Sequence, residues 1–224
     1  MIEELLTDDT VGVETYGDEE HPPLYPEEEA VVARAVDKRR REFTAVRSCA
    51  RRAMEKLGVS PRAVLPGERG APGWPPGLIG SMTHCDGYAA AALARAADLA
   101  SLGIDAETHL PLPDGVLDAV ALPGETERLR RLAAEHPAVH WDRLLFSAKE
   151  SVYKAWFPLT GRWLDFSEAD IDIRAGDSDP RAGRFDARLL VPGPVVGGRR
   201  LERFEGRWIV GRGLVATAVT VPHT

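Results

Sequence analysis

FSAKESVYKA, at residues 146–155, is the stretch from which the fold of this chain can be worked out. It lies in a longer segment with helical spacing, and we expect one helix from His140 to Phe157 that Pro158 terminates. Glu150 and Lys154 are four residues apart, so they share one face of that helix. An acidic and a basic side chain on one face indicate either an ion pair or part of a functional site.

A second pattern, GIDAE at residues 103–107, ends an apolar run that is typical of a strand. Residues two apart on a strand point to the same side, so Asp105 and Glu107 are expected to converge. Glu150 is the third acidic position that could join them. A few carboxylate oxygens, with water in the remaining positions, are what Mg²⁺ requires, and a phosphate can then supply the bridge.

Spacing alone does not choose between this site and simpler interpretations. Glu150 and Lys154 could form a surface ion pair worth a few tenths of a kcal/mol. Asp105 and its acidic neighbour could lie at a solvated strand end. Asp170 and Asp172 have the same spacing and would serve equally well as a pair of metal ligands.

The composition excludes several classes of protein. Of the 224 residues, 44% are hydrophobic and 28% charged, which is ordinary for a globular protein and argues against global disorder. The formal charge is −7, so a generic nucleic-acid binder is not expected, and an anionic ligand needs a local basic patch. Two cysteines, Cys49 and Cys85, predict a reducing compartment, the cytoplasm. Arg95 and Asp98 interrupt the apolar run at 88–100, so no membrane span is expected.

The order of the elements predicts an α+β fold of two lobes, residues 1–108 and 109–224. One apolar stripe predicts a helix that Gly58 terminates; its members are Phe43, Val46, Ala50, Ala53 and Leu57. A shorter helix is expected at 126–135. Strands are expected at 78–81, 88–93, 99–105, 171–173, 185–191, 207–210 and 214–221.

The helix that ends at Gly58 carries basic side chains on its other faces. Arg39 and Arg47 lie on it, about 12 Å apart along the axis, so both could contact one extended polyanion. A solvated charged face is the simpler interpretation and remains open.

GSMTHCDG, at residues 80–87, places His84 directly after a predicted strand. Ser81 and Thr83 add hydroxyl groups, and Gly87 adds an unhindered backbone N–H, which together suit a phosphate. A lone histidine in this setting is equally compatible with a packed or capping residue.

Together these segments resemble the phosphopantetheinyl transferases, in particular the surfactin-synthetase/enterobactin type, which is a single chain of two lobes. GIDAE and FSAKESVYKA match the family signatures G(I/V)D-x-E and (W/F)S-x-KE-x-x-x-K in order and spacing. Three further stretches support the resemblance: 80–87, GERGAPGWPPG at 67–77, and KAWFPLTGRWL at 154–164, which is similar to the actinobacterial branch.

The resemblance implies a fold, an activity and partners. It implies two similar α+β lobes with pseudo-twofold symmetry and mostly antiparallel sheets. It also implies transfer of the 4′-phosphopantetheine arm of coenzyme A to a serine of an apo carrier protein, with release of adenosine 3′,5′-bisphosphate. The carriers would be those of fatty acid, polyketide or non-ribosomal peptide synthesis. The expected protein is a cytoplasmic monomer that binds neither nucleic acid nor membrane.

The resemblance also implies a role for each candidate residue. Asp105, Glu107 and Glu150 would hold Mg²⁺, or Mn²⁺, and Glu150 would accept the proton of the serine. Lys154 and Lys149 would stabilise negative charge on the phosphates. The remaining coenzyme A-binding candidates are Arg39, Arg47, His84, Ser81, Thr83 and Arg69, the last at a position where the family pattern suggests lysine.

Two other functions remain open at this point. A Mg²⁺-dependent phosphodiesterase or nucleotide hydrolase would use the same carboxylates to activate water. A coenzyme A-binding regulator without activity would be expected to lack a metal ligand or Lys154, and these residues are all present.

Overall fold

The computed structural model describes residues 1–17 and 19–223, and it confirms the predicted α+β class. In this part of the chain the helices are α1 (Pro26–Val32), α2 (Asp37–Lys56), α3 (Val116–Val120), α4 (Pro123–Glu135) and α5 (Trp141–Thr160). The strands are β1 (Thr10–Tyr16), β2 (Leu78–Cys85), β3 (Tyr88–Arg95), β4 (Leu99–Thr108), β5 (Ala169–Ala175), β6 (Ala182–Leu189), β7 (Val195–Val196), β8 (Arg199–Arg200), β9 (Arg203–Gly211) and β10 (Leu214–Pro222). No helix among the described residues is both long and apolar enough to span a bilayer.

The first sheet has the antiparallel order β1-β3-β2, and α2 packs against it. The predicted stripe of α2 is confirmed, since Phe43, Val46, Ala50 and Ala53 are all buried. Strand β3 does not alternate between buried and exposed residues. Its alanines are buried on both faces of the sheet, because α2 covers one face and the second sheet packs against the other.

The second sheet has the antiparallel order β4-β10-β9-β6-β5. Helix α5 packs across β4 and β10, with Trp156 and Trp208 among the fully buried side chains of this core. Strand β4 precedes the predicted lobe boundary at residues 108–109. It is hydrogen-bonded along its length to β10, and Asp105 pairs with Thr217 in this register. The strand that carries GIDAE is therefore the edge strand of the second sheet.

Side chains rather than a backbone ladder join β2 of the first sheet to β4 of the second. The Ser81 hydroxyl accepts a hydrogen bond from the Ile104 N–H at 3.0 Å, and the Thr83 hydroxyl accepts one from the Ala106 N–H at 3.1 Å. These bonds satisfy buried amides at an edge that would otherwise be left without partners. GIDAE is consequently held between the two halves of the molecule.

The prediction that Pro158 terminates the long helix is wrong. Helix α5 continues through Pro158 to Thr160 and ends at Gly161, which has a left-handed φ of 63°. A proline removes one helical N–H and its ring crowds the carbonyl four residues earlier, but the residues that follow it can still close the last turn of a helix. The Thr160 hydroxyl bonds the Trp156 carbonyl, and the Gly161 N–H bonds the Phe157 carbonyl.

Candidate active site

Strand β4 and helix α5 bring Asp105 and Lys154 into contact. The Lys154 ammonium lies 2.7 Å from Asp105 Oδ1 and also donates to the Ile104 carbonyl at 3.1 Å. Gly103 makes this approach possible, since a Cβ there would lie only 2.0 Å from the Ser151 carbonyl oxygen of α5. The glycine of GIDAE is thus required by the contact between strand and helix.

The two oxygens of Asp105 have different surroundings. Asp105 is buried, Oδ1 accepts from Thr83 and Lys154, and Oδ2 has no hydrogen-bond partner in the described part of the chain. A buried carboxylate oxygen without a partner is costly, so its presence indicates a ligand that completes it. The chemistry of this oxygen suits a divalent cation.

Glu150 lies near Asp105 in a low-dielectric environment. Burial raises the pKa of Glu150, the Asp105 charge raises it further, and Lys154 opposes the shift. A cation or a proton near Glu150 would offset both the burial and the repulsion from Asp105. The pair therefore favours positive charge between them.

Glu107 is held by an arginine that sequence analysis did not identify. One nitrogen of Arg143 lies 3.0 Å from Glu107 Oε2, and its other nitrogens donate to the Leu110 and Pro111 carbonyls. Burial and Asp105 raise the pKa of Glu107, whereas Arg143 lowers it. Among the described residues, no three acidic, histidine or cysteine side chains form a group that could hold a metal ion unaided. A cation at Asp105 would accordingly need oxygens from water or phosphate as well, which is usual for Mg²⁺.

A cavity of about 610 Å³ opens beside this contact, between α2, β2 and α5. Its walls include seven of the residues that the sequence singled out: Arg39, Arg47, Arg69, Ser81, His84, Glu150 and Lys154. Apolar side chains such as Phe43, Trp74 and Phe157 line the remainder. A lining that combines cations with apolar side chains suits an amphiphilic phosphate ester.

Arg47 is a buried cation without a paired carboxylate. It is 7% exposed, its Nε donates to the Val64 carbonyl at 3.3 Å, and its guanidinium lies 3.5 Å from the Phe43 ring centroid. Burial lowers the pKa of Arg47 to about 10, so it remains charged at neutral pH. No carboxylate of the described residues lies within ion-pair distance of it. Such a cation favours an anionic ligand.

Arg39 and His84 form one unit at the rim of the cavity. The Arg39 guanidinium lies 2.8 Å from His84 Nε2, which must therefore be an unprotonated acceptor. Burial and then Arg39 lower the pKa of His84, which keeps the ring neutral. The neutral imidazole thus orients the Arg39 guanidinium, and the Glu42 carboxylate lies 4.0 Å from that guanidinium and 3.5 Å from His84 Nε2.

Arg69 connects the loop at 67–77 to the second half of the chain. It has a left-handed φ of 53°, and its guanidinium lies 5.7 Å from the ring centroid of Trp163. An arginine stacks on an indole through its planar group, which a lysine cannot do in the same way. The departure from the family pattern at this position therefore has a structural counterpart in Trp163.

Aromatic residues near Glu150 were missed as site residues. Trp163 is 55% exposed, and its ring centroid lies 4.9 Å from that of Tyr153. Both residues, with Glu150 and Phe166, line a side pocket of about 70 Å³. Tyr153 is three residues after Glu150 on one helical face, and this spacing is the signal that could have found it.

Two predicted ligand contacts are not present in this structure. The Lys149 ammonium does not face the phosphate cavity, because Glu125 and the Phe166 and Ala169 carbonyls surround it. The Thr83 hydroxyl is used by Asp105 and the Ala106 N–H and does not line the cavity. The Lys149 ammonium and the Thr83 hydroxyl are thus already hydrogen-bonded to other groups of the protein.

The alternative acidic pair lies elsewhere and is neutralised. Asp170 pairs with Arg128 and Arg188, and Asp172 pairs with Arg174. Neither lines the cavity beside Glu150. Asp170 and Asp172 are two residues apart because both lie on the partly exposed face of β5, which alternates with buried residues.

Comparison with known proteins agrees with this geometry. Residues 27–94 match the family described as the 4′-phosphopantetheinyl transferase N-terminal domain, and residues 101–188 match the 4′-phosphopantetheinyl transferase superfamily. The chain is 61% identical to 4′-phosphopantetheinyl transferase Svp of Streptomyces mobaraensis, over 99% of this chain and 89% of that protein. It is 49% identical to 4′-phosphopantetheinyl transferase Npt of Nocardia iowensis, over 98% and 99% of the two chains. Identity to 4′-phosphopantetheinyl transferase PptT of Mycobacterium tuberculosis is 48%, over 96% and 93%.

Proposed function

The chain belongs to the 4′-phosphopantetheinyl transferase superfamily, and we propose that the cavity between α2 and α5 is where it performs this transfer. The enzyme uses coenzyme A as substrate and modifies apo carrier proteins. The serine oxygen attacks the phosphorus that bears pantetheine, the bond to the bridging oxygen breaks, and adenosine 3′,5′-bisphosphate leaves. The serine proton must be removed by a group of the protein.

Glu150 is our candidate for that group. Its carboxylate borders both the large cavity and the side pocket, so a hydroxyl that enters from the side pocket meets it next to the phosphates. The raised pKa makes it a better proton acceptor than an exposed glutamate. Lys154, on the next turn, is placed to stabilise charge on the leaving phosphate.

Arg47 and the Arg39–His84 pair are our candidates for binding coenzyme A phosphates. The unpaired charge of buried Arg47 supports this assignment most strongly, because anion binding relieves its desolvation. Arg69 and the Ser81 hydroxyl also border the cavity, although Ser81 already accepts one backbone bond.

Asp105, Glu150 and Glu107 are our candidates for holding Mg²⁺, or Mn²⁺, against the pyrophosphate. The partnerless Oδ2 of Asp105 is the observation that carries this proposal. When bound, the ion would neutralise charge on the pyrophosphate. Glu107 offers its second oxygen while Arg143 holds the first.

The finer biological setting is also a proposal. We expect the carriers to be those of fatty acid, polyketide or non-ribosomal peptide synthesis and the enzyme to be a monomer. Both cysteines are free thiols, one of them buried, which supports a reducing compartment such as the cytoplasm.

Intact mass measurement of an apo carrier protein incubated with enzyme, coenzyme A and Mg²⁺ tests the proposal. We expect the carrier to gain one phosphopantetheine and the Glu150→Gln variant to lose nearly all turnover while still folding. Free phosphopantetheine with an unmodified carrier would instead identify a hydrolase, and full activity of Glu150→Gln would refute the proposed base. Omission of the metal should abolish transfer.

A further inference from the structure

The residue that precedes Glu150 on α5 is locked inside the protein. Lys149 is 3% exposed, and its ammonium lies 2.9 Å from Glu125, 2.6 Å from the Phe166 carbonyl and 3.0 Å from the Ala169 carbonyl. An ammonium has three N–H donors, so these acceptors use all of them. Lys149 is thus fixed from three directions.

Glu125 is fixed just as completely. It is 1% exposed, and its carboxylate accepts from the Leu122 N–H at the start of α4 and from the Ile171 N–H of β5, both at 2.7 Å. The Glu125–Lys149 pair therefore joins α4, α5 and the beginning of β5 at one buried point. Removing either partner would leave the other charge without compensation.

The first half of the chain contains the same arrangement, but next to Arg47 instead of Glu150, since Arg51 donates to the Arg47 carbonyl. It is therefore a control for kcat and not for coenzyme A affinity. Glu28 follows Pro26 in α1 as Glu125 follows Pro123 in α4, and each glutamate accepts from the N–H three residues before it. Glu28 also accepts from the Val64 N–H and lies 3.6 Å from Arg51 of the following long helix. The two pairs are structural counterparts, which provides an internal control.

We propose that Glu125 and Lys149 are positioning residues that fix the rotation of α5 and thereby direct Glu150 into the cavity. The proposal rests on the role of Glu150 proposed above. Apolar residues often stabilise a core as well as a buried ion pair does, but they allow a helix to rotate. An ion pair with directed backbone bonds allows one orientation only. Because Glu150 is the next residue, a small rotation at Lys149 moves its carboxylate away from Asp105.

Two pairs of matched substitutions test this inference. Glu125→Gln and Glu28→Gln are isosteric, and the single oxygen of glutamine keeps an acceptor for one of the two backbone N–H groups that each glutamate binds. The loss is therefore the same in both variants, and circular dichroism establishes that each one is folded before its activity is compared. Lys149→Met and Arg51→Met remove the cation in each half and serve as the second pair. The measurements are melting temperature, kcat, the KM for coenzyme A and coenzyme A affinity by calorimetry.

We expect all four variants to melt at lower temperature, but only Glu125→Gln and Lys149→Met to lose kcat, by about 10- to 100-fold. Their KM for coenzyme A should stay within about twofold of the wild-type value, because the phosphate-binding residues lie on other elements. Glu28→Gln should keep kcat within about twofold.

Normal kcat in folded Glu125→Gln and Lys149→Met would overturn the inference, as would an equal loss of kcat in Glu28→Gln. If Glu125→Gln were normal while Glu150→Gln was inactive, only the positioning role would fall. Full activity of Glu150→Gln would remove the proposed function itself. The two failures are therefore distinguishable.

Discussion

Asp105 is the residue at which the two halves of the site meet. It lies on the second sheet, accepts a hydrogen bond from Thr83 of the first sheet and pairs with Lys154 of α5. Its free oxygen is where we expect the cation. Loss of this one carboxylate should accordingly affect metal affinity and turnover together, although it leaves the cavity intact.

Asp105→Asn should lower kcat by about 10²–10³-fold, because it removes a carboxylate that would hold the cation against the phosphates and that pairs with Lys154. It should also weaken Mn²⁺ binding, which can be measured by electron paramagnetic resonance without any turnover. Asp172→Asn is the matched control, since Asp172 has the same spacing on an exposed strand face. Equal effects of the two substitutions would contradict the assignment of the metal site.

Glu150 provides a prediction about stability and pH. Its folded-state pKa is raised above the ordinary value of 4.5, so the folded protein binds this proton more tightly than the unfolded chain. Ionised Glu150 therefore destabilises the folded state. This destabilisation is absent below the unfolded-state pKa and develops as the pH rises through the folded-state pKa. Neutral glutamine removes that destabilisation.

In a chelator, Glu150→Gln should therefore melt at higher temperature than the wild type at neutral pH, by about 2–4 °C for each kcal/mol relieved. The difference should disappear below the unfolded pKa near 4.5. Calorimetric melting curves across pH provide the measurement. A variant less stable than the wild type at neutral pH would show that burial does not disfavour this charge.

At the scale of single residues, the sequence predicted which side chains line the cavity but not which residues they contact. Glu150, Lys154 and Arg47 were predicted from spacing and resemblance, and they do line one cavity. Arg143 was missed because its contacts are with residues far along the chain, which no local pattern records. The polar atoms of Lys149 were misassigned for the same reason, since its partner Glu125 is 24 residues away.

At the scale of elements, the close packing of β4 on α5 sets the geometry of the site. Ser101 donates to the Ala155 carbonyl at 2.7 Å, and Gly103 leaves no room for a side chain beneath Ser151. Both contacts lie within one turn of Glu150 or Lys154. A wider spacing between strand and helix would separate the carboxylates.

Gly103→Ala should destabilise the protein by about 1–3 kcal/mol, because the added methyl group meets backbone atoms that cannot rotate away. The same displacement should lower kcat more than it raises the KM for coenzyme A. Urea unfolding and steady-state kinetics measure the two effects. Gly211→Ala is the control, since its new Cβ would have only an ordinary contact with Met1; equal damage there would contradict the argument from packing.

Most elements could be predicted from periodicity, and the exceptions have physical causes. The α2 stripe follows helical spacing because that helix buries one continuous face, whereas β3 and β4 are apparent as short apolar runs because both of their faces are buried. Strand β1 was not predicted, since Gly12 interrupts its alternation. A Cβ at Gly12 would lie 2.9 Å from side-chain atoms of Glu3 and Leu6, so those side chains would have to move. The pairing of β4 with β10 joins residues more than 100 positions apart, beyond any local signal.

At the scale of the whole molecule, the cavity takes its walls from both halves. Arg39 and Arg47 come from α2 beside the first sheet, whereas Glu150 and Lys154 come from α5 on the second. The hydroxyl bridges of Ser81 and Thr83 join the sheets beneath it. A ligand that fills the cavity contacts both halves and should resist their separation.

Coenzyme A should therefore slow amide hydrogen exchange in α2 and α5 together, and saturation at 100 times Kd should add about 2.7 kcal/mol to stability. Adenosine 3′,5′-bisphosphate lacks the pantetheine arm, so it should protect α2 strongly and α5 much less. Hydrogen exchange with mass spectrometry distinguishes the two helices in one experiment. Arg47→Met should weaken protection by both ligands, because it removes the buried cation. Protection of α5 alone would mean that the phosphates do not bind at α2.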